Sequence, residues 1–398
     1  MNKTFTVTGF KAGAVKAGIR GKDRLDVGLI YSEKPAAAAG VFTTSQVKAA
    51  PVLLDMDHLK NGRARAIVVN SGIANACTGA VGMELARGTA EVVAAGLGID
   101  KESVLVTSTG VIGMQLDLSI FTNCIGPLAG GLTEDGFAEV ARAMMTTDTV
   151  PKTARREITL SGKTVAMLGL AKGAGMIMPN MATMLAFIVT DAAVRPDVLQ
   201  EMLSRSVRHS FNAITVDGDT STNDTLLLLA NGAAANPEIS DSASGEGALL
   251  QKCLDDVCLD LALQIVRDGE GASKMITVHV KGAKSGEDAD RAARTVANSN
   301  LVKTAFFGED ANWGRIIAAL GRSGVVFDEN RVDIAFDDVL MVQNGLGLGP
   351  EEEKKATAVL KKKEFSVVID LKDGASQQKI YTCDFSIDYV KINADYRS

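Results

Sequence analysis

The sequence has 398 residues, of which 46% are hydrophobic and 23% charged, an ordinary globular composition with enough chain for two or three domains. Its formal net charge of −6 argues against a nucleic-acid-binding protein, which normally has a basic excess or a basic face. The sequence lacks a secretory signal, a run of about 18 apolar residues and disulfide-like cysteine spacing. We therefore expect a soluble, cytoplasmic protein with reduced cysteines and with no nucleic-acid or membrane partner.

Short strand-like runs alternate with helical patterns over the first 150 residues. Residues 66–69 predict a buried strand, which a turn at 70–72 connects to a helix over 82–97. A second strand is predicted at 103–107, and 135–145 has apolar residues at helical spacing. This alternation indicates an α/β architecture.

The middle of the chain predicts a hairpin at 158–170, with Ser161 and Gly162 as its turn. After it comes a glycine-rich segment, uncharged beyond Lys172, which leads into a strongly apolar run of strand length at 183–190. The remaining patterns predict, in chain order, a helix at 195–207, a loop at 237–247, a helix at 256–267, a polar linker at 282–290, a helix at 291–299, strands at 325–327, 332–336 and 365–370, and a helix at 350–363.

The sequence lacks the residues that the commoner hydrolytic sites use. Its three histidines, His58, His209 and His279, have no catalytic or metal-ligand spacing. It has neither a Gly-x-Ser-x-Gly elbow nor a Gly-Lys-Ser/Thr phosphate loop. An enzyme built from this chain would therefore need another base for its nucleophile.

Thr183 offers such a base if the peptide bond before it is broken. Its new α-amine, with a pKa of roughly 7.7–8.0, would be partly neutral near pH 7 and would lie beside the threonine hydroxyl. A small preceding residue, Ala182, and a Gly/Pro-rich approach would leave the carbonyl open to attack. On local sequence alone the alternative is a loop that leads into a buried strand with threonine at its start.

The string KGAGMIMPNMATMLAFIVTDA at 172–192 closely resembles the self-processing segment of the ornithine acetyltransferase family, the arginine-biosynthesis bifunctional proteins. The resemblance spans nearly the whole chain in order. Its other blocks are AGVFTT at 39–44, NACTG at 75–79, TSTGVIG at 107–113, TTDT at 146–149, residues 212–224, RDGEGA at 267–272, NWGR at 312–315 and residues 388–398. One departure is Ile73, which stands where we expect a polar asparagine.

The resemblance implies a role for each residue that matches a family position. These are Thr183 as nucleophile, cleavage between Ala182 and Thr183, Thr109 and Gly110 as the oxyanion-stabilising pair, and Thr146, Lys172, Thr183, Glu270, Asn393 and Ser398 as substrate contacts, with Thr147 a close second to Thr146. Without the resemblance, Thr109-Gly110 would be a strand-ending turn, Lys172 and Glu270 solvated surface charges, and the last residues a frayed tail.

The resemblance also implies a fold and a reaction. The expected fold is a layered α-β-β-α sandwich of the self-processing N-terminal-nucleophile type, with an α-chain of 1–182, a β-chain of 183–398 and a smaller α+β domain from about 285 to 398. The expected reaction moves an acetyl group from N2-acetyl-L-ornithine to L-glutamate through a Thr183 ester, without metal or cofactor. Acetyl-CoA as a second donor and an α2β2 assembly are further expectations. The alternatives are a self-processing aminopeptidase or amidohydrolase and a non-enzymatic binding protein.

Overall fold

The computed structural model describes residues 5–178 and 184–395. The strands are β1 (Phe10–Val15), β2 (Val27–Phe42), β3 (Arg63–Ile73), β4 (Val104–Val111), β5 (Lys152–Leu160), β6 (Lys163–Lys172), β7 (Leu185–Thr190), β8 (Ile214–Thr215), β9 (Thr225–Ala230), β10 (Met275–Ala283), β11 (Asp333–Phe336), β12 (Val339–Gln343), β13 (Leu346–Gly347), β14 (Glu364–Asp370) and β15 (Ser376–Cys383). The helices are α1 (Ala50–His58), α2 (Gly79–Leu97), α3 (Leu118–Gly130), α4 (Phe137–Ala143), α5 (Pro196–His209), α6 (Gly245–Arg267), α7 (Gly286–Ala297), α8 (Asn300–Phe307), α9 (Trp313–Gly321), α10 (Pro350–Leu360) and α11 (Ile387–Ala394).

The chain divides into two compact units. The first comprises Met1–Asn212 and Asp219–Ile265, and the second comprises Ala213–Gly218 and Val266–Ser398. Each unit combines one mixed sheet with helices, so the predicted α/β class is confirmed. Within the described ranges, no helix has the length and apolarity needed to cross a membrane.

The sheet of the first unit has the order β4-β3-β2-β9-β7-β6-β5, and β1 pairs with β2 outside this path. Alternate residues of β3 enter two different cores: Ile67 and Val69 pack in the core that includes α4, whereas Ala66 and Val68 pack in the core that includes α2. Because both faces are buried, β3 is a nearly continuous apolar run. The predicted hairpin is confirmed, since β5 and β6 pair from Lys152 opposite Ala171 to Leu160 opposite Lys163, around the Ser161-Gly162 turn.

Three neighbouring strands of this sheet are aligned where the glycine-rich segment ends. Lys172 of β6 is the register partner of Leu185 in β7, and Leu185 is the partner of Thr225 in β9. Every residue of β7 and β9 is buried. The apolar run that follows Thr183 is therefore a central strand, and its first residues lie beside the end of β6 and the start of β9.

The sheet of the second unit has the order β13-β12-β11-β14-β10-β15-β8. Its core combines apolar strand residues such as Val278 and Val367 with residues of α7 and α8, among them Ala293 and Phe306. The rings of Phe306 and Phe365 pack edge to face at a centroid distance of 5.5 Å.

The structure corrects three of the sequence-based boundaries. The linker predicted at 282–290 is wrong, because α7 begins at Gly286 and the Ser285 hydroxyl caps it by accepting a hydrogen bond from the Asp288 amide. The strand predicted at 325–327 is wrong as well, since Val325 is buried but the segment pairs with no strand. Helix α6 begins well before residue 256. The division of the chain before Thr183 stays a prediction.

Candidate active site

Thr109 and Gly110 lie near the C-terminal end of β4, opposite Ser71 and Gly72 of β3. Gly110 has a φ of +132°, and a Cβ atom at this position would lie 2.2 Å from the carbonyl carbon of Gly72. A side chain at residue 110 would therefore be both strained and in collision with the neighbouring strand. The contact explains why residue 110, near the end of this strand, is a glycine.

The Lys172 side chain reaches Thr109 from the end of β6. Its Nζ donates a hydrogen bond to Thr109 Oγ1 at 3.3 Å, and the residue is only 6% exposed. Lys172 is thus not the solvated surface charge that its isolated sequence context would suggest. Because the Thr109 oxygen accepts this hydrogen bond, the hydroxyl can still donate its own proton to a further acceptor.

Asp148 anchors the loop before β5 to the end of β6. Its carboxylate accepts hydrogen bonds from Lys152 Nζ at 2.7 Å, the Gly173 amide at 2.6 Å and the Thr146 amide at 3.0 Å. The side chains of Asp148 and Lys152 are both 0% exposed. Burial by itself would raise the pKa of Asp148, but the charges of Lys172 and Lys152 and these hydrogen bonds lower it to about 2. Asp148 is therefore ionised at neutral pH.

The backbone of Thr146 is held on two sides. Its amide donates to Asp148, and its carbonyl oxygen accepts hydrogen bonds from the guanidinium groups of Arg20 and Arg24, both at 3.3 Å. Thr146 and Thr147 are both half-buried. The backbone of this predicted substrate contact is thus fixed, while the choice between the two hydroxyls stays open.

In the second unit the structure brings Glu270 and Asn393 together. Asn393 Nδ2 donates a hydrogen bond to Glu270 Oε2 at 2.8 Å, and Glu270 is 8% exposed. Helix α11, which carries Asn393, is fastened at its start because the hydroxyl of its N-cap, Ser386, donates to the Gly271 carbonyl at 2.6 Å. The expectation of a frayed tail is therefore wrong as far as Ala394, the last residue of α11.

Three predicted site residues, Ala182, Thr183 and Ser398, lie outside the described residues. The described chain resumes at Met184, which is buried and whose carbonyl accepts a hydrogen bond from the Thr225 amide at 3.1 Å. No group of three or more His, Cys, Asp or Glu that could hold a metal ion occurs within residues 5–178 and 184–395.

Sequence reasoning assigned no role to Asp148 or Asp224, although both lie within the quoted blocks. Asp224 immediately precedes β9 and is buried, and neither of its carboxylate oxygens has a hydrogen-bond partner in the described part of the chain. Burial raises the pKa of Asp224 well above its usual range, against the opposing effects of the Met184 amide and the Lys172 charge.

The comparisons with known proteins agree with the blocks in the sequence. The ArgJ family model matches residues 11–398. The chain belongs to the ArgJ family. It is 58% identical to the arginine biosynthesis bifunctional protein ArgJ of Desulfotalea psychrophila, over 98% of this chain and 100% of that protein. It is 55% identical, with the same coverage, to the protein of that name from Geobacter sulfurreducens.

Among solved structures, the chain is similar to the arginine biosynthesis bifunctional protein ArgJ of Bacillus halodurans. The TM-score is 0.52 at 42% identity, and the alignment covers 54% of this chain and 100% of that one. The family predicted from the sequence blocks is therefore confirmed. Family membership over the full length favours an arginine-biosynthesis enzyme over the aminopeptidase alternative.

Proposed function

We propose that this chain is a bifunctional acetyltransferase of arginine biosynthesis that moves an acetyl group from N2-acetyl-L-ornithine to L-glutamate. Family membership over residues 11–398 supports the reaction class. The structural observation that carries the proposal is the hydrogen bond between Lys172 and Thr109. Lys172 ends β6, next to the start of β7, which begins two residues after Thr183. A buried cation and a hydroxyl at this place suit an acyl group that is attached to Thr183.

The first step of the proposed mechanism is self-cleavage between Ala182 and Thr183. The Thr183 hydroxyl attacks the Ala182 carbonyl, and water resolves the resulting ester. The free α-amine of Thr183 then serves as the base for its own hydroxyl. Thr183 attacks the acetyl amide of acetylornithine, ornithine leaves, and the α-amine of glutamate collects the acetyl group from the ester.

Thr109 and Gly110 stabilise the oxyanion of each tetrahedral intermediate in this scheme. The Lys172 ammonium donates to the Thr109 oxygen and thereby polarises the Thr109 hydroxyl, which strengthens the hydroxyl as a donor to the oxyanion. Loss of one oxyanion donor typically costs about 2.7–4 kcal/mol of barrier. Substrate carboxylate would be bound near Lys172, and Glu270, which Asn393 orients, would receive a substrate amine.

We further propose that acetyl-CoA is a second acetyl donor and that the reaction needs no metal or cofactor. We also propose that the two cleaved chains form an α2β2 assembly. The relatives named bifunctional support a second activity. Location in the cytoplasm is supported by the five cysteines, all of which are free thiols.

The mass of the denatured protein tests the central step. We expect two fragments, one ending at Ala182 and the other beginning with Thr183, and a single intact, inactive chain for Thr183→Ala. A full-length band from fully active wild-type protein, or cleavage of Thr183→Ala, would overturn the assignment of the nucleophile.

Incubation with acetylornithine, with and without glutamate, tests the reaction class. The transferase should release ornithine at a high rate only when glutamate is present, because the acetyl ester needs an acceptor. Equal deacetylation rates in the two incubations would identify a hydrolase instead. Replacing acetylornithine by acetyl-CoA in the same assay tests the second donor.

A further inference from the structure

The open edge of β4 is closed by side chains rather than by another strand. Among the described strands, β4 pairs only with β3, so its other edge has no strand neighbour. The backbone groups on that edge nevertheless have partners: the Val106 amide donates to Asp55 Oδ1 at 2.7 Å, and the Val104 carbonyl oxygen lies 2.8 Å from His58 Nδ1. Because the backbone groups of alternate residues in a strand point to the same side, the next carbonyl on this edge is that of Ser108.

Asn223 provides the partner of the Ser108 carbonyl. It lies in the loop before β9 and is only 6% exposed. Its Nδ2 donates one hydrogen bond to the Ser108 carbonyl at 2.8 Å and another to the Ala74 carbonyl at 2.6 Å. Its Oδ1 accepts a hydrogen bond from the Thr222 hydroxyl at 2.6 Å. Carbonyl oxygens can only accept hydrogen bonds, so the two carbonyls fix which end of the Asn223 amide faces β4.

The backbone of Asn223 is itself fixed to the central strands of the sheet. Its amide donates to the Ser221 hydroxyl at 3.1 Å, and its carbonyl accepts a hydrogen bond from the Thr225 hydroxyl at 2.9 Å. Thr225 begins β9 and is the register partner of Leu185 in β7. In the sheet order, β2 and β3 separate β9 from β4. Asn223 therefore connects the end of the edge strand to central strands that are not its neighbours.

The Ser108 carbonyl lies immediately before the predicted oxyanion pair. It belongs to the same planar peptide unit as the Thr109 amide, so the hydrogen bond from Asn223 fixes the orientation of the backbone that leads into Thr109. On the opposite side, Gly110 is fixed by its close contact with Gly72 of β3. The pair is therefore held by a side chain at the open edge and by backbone packing at the other.

We propose that Asn223 is a positioning residue that keeps Thr109 and Gly110 in the geometry needed to stabilise an oxyanion. The inference rests on the proposed function, because it takes these two residues as the oxyanion donors. Such donors must lie about 2.7–3.1 Å from the developing oxyanion, and a displacement of about 1 Å can lower the rate about 100-fold. Asn223 acts on the donors through the backbone of Ser108 rather than through contact with substrate.

This role predicts a particular kinetic effect when the side chain is lost. Both half-reactions of the proposed transfer, acetylation of the enzyme by acetylornithine and collection of the acetyl group by glutamate, form a tetrahedral oxyanion. Displaced donors should therefore slow both steps together. An interaction that is made only in the transition state lowers kcat and kcat/KM equally, so kcat should fall while KM for acetylornithine stays nearly unchanged.

The test compares wild type, Asn223→Ala and Asn236→Ala in acetyl transfer from acetylornithine to glutamate, with rates expressed per mole of cleaved protein. Asn236 is the matched control, because it is also 6% exposed and its Nδ2 also donates to two carbonyls, those of Ala193 at 3.2 Å and Pro237 at 2.8 Å. It lies beyond the opposite end of β9. Both variants should lose similar stability in urea, but only Asn223→Ala should lose kcat, by about 100-fold, with KM unchanged.

Asn223→Asp is the second variant, for the case in which Asn223→Ala does not fold. It keeps the shape of the side chain but has at most one donor hydrogen where the amide has two, so we expect kcat to fall about 10-fold or more at unchanged KM. A kcat equal to that of wild type in the folded Asn223 variant, a raised KM at unchanged kcat, or an equal loss of kcat in Asn236→Ala would overturn the positioning role. Absence of acetyl transfer by wild type would instead refute the proposed function, so the two failures are distinguishable.

Discussion

Gly110 lies against Gly72 so closely that a Cβ atom on Gly110 would be 2.2 Å from the carbonyl carbon and 2.3 Å from the carbonyl oxygen of Gly72. The contact joins the predicted oxyanion site to the end of β3. Two glycines facing each other across neighbouring strands leave no side chain between β4 and β3 at this point. The position of the Gly110 amide is therefore fixed by backbone packing.

We expect Gly110→Ala to destabilise the first unit and to slow acetyl transfer strongly. The added methyl group would collide with backbone, which cannot move aside as a side chain can, and φ at +132° is unfavourable for alanine. Substitutions that combine strain and overpacking cost about 1–3 kcal/mol or more. Urea unfolding and kcat together measure the effect.

Gly126→Ala is the control for this prediction. Gly126 lies within α3, and a Cβ there would meet nothing within 4 Å. Alanine favours a helix by about 0.5–1 kcal/mol over glycine. The variant should be as stable as wild type or more so, with unchanged kcat; comparable losses in both variants would rule out the packing argument.

We expect Asp148→Asn to be strongly destabilising. The change removes the negative charge that pairs with the buried Lys152 ammonium, and breaking a buried ion pair typically costs about 3–5 kcal/mol. The exposed pair of Asp57 and Lys60, with side chains 64% and 77% exposed, offers a control in Asp57→Asn, for which about 0–1 kcal/mol is expected. Urea unfolding of both variants at pH 7 measures the difference, and equal losses would contradict it.

The pH dependence of stability gives a second view of Asp148. Its pKa in the folded state is lowered to about 2, below the unfolded value of about 3.8. The ionised form is therefore favoured by folding, and its stabilisation is present above the unfolded pKa and lost as the pH falls towards 2. The difference in unfolding free energy between wild type and Asp148→Asn should shrink over this acidic range; a constant difference would contradict the lowered pKa.

Local signals in the sequence predicted much of the secondary structure. The hairpin of β5 and β6 was found because its turn, Ser161-Gly162, is encoded by two adjacent residues with positive φ. The start of helix α7 was predicted as a polar linker because the charged residues of its first turns hide the helical pattern. Its buried side consists largely of alanines, whose small side chains give only a weak apolar pattern.

Pairing between distant strands could not be derived from local patterns. The alignment of Lys172, Leu185 and Thr225 joins three strands whose register depends on the packing of the whole sheet. The role of Asp148 follows from its burial and from the partners that the folded chain brings to its carboxylate. Resemblance to a family could name Lys172, but only the structure shows that the pKa of Asp148 is lowered and that of Asp224 is raised.

We expect Glu270 and Asn393 to be energetically coupled. The double-mutant cycle of Glu270→Gln and Asn393→Ala should give a coupling of about 1.5–3 kcal/mol in KM-based binding free energy, as for hydrogen bonds to charged groups. Lys391→Ala is the control on the same helix, because its ion pair with Asp388 is 70% and 68% exposed and should contribute about 0–1 kcal/mol. Additive effects on KM would show that Asn393 does not orient Glu270.

We expect Asp55→Asn to stabilise the protein increasingly as the pH rises. Burial raises the pKa of Asp55 well above its usual range, although one oxygen accepts a hydrogen bond from the Val106 amide at 2.7 Å. The pKa of Asp55 in the folded protein lies above its value of about 3.8 in the unfolded chain, so protonation of Asp55 stabilises the fold. This stabilisation is complete below the unfolded pKa and is lost as the pH rises through the folded pKa. The amide of the variant cannot ionise. The free energy of unfolding of the variant minus that of wild type should therefore increase by up to about 1.4 kcal/mol per pH unit between the unfolded and the folded pKa. Urea unfolding of both proteins between pH 4 and about pH 8 measures this slope, and parallel curves would mean that Asp55 keeps an ordinary pKa in the fold.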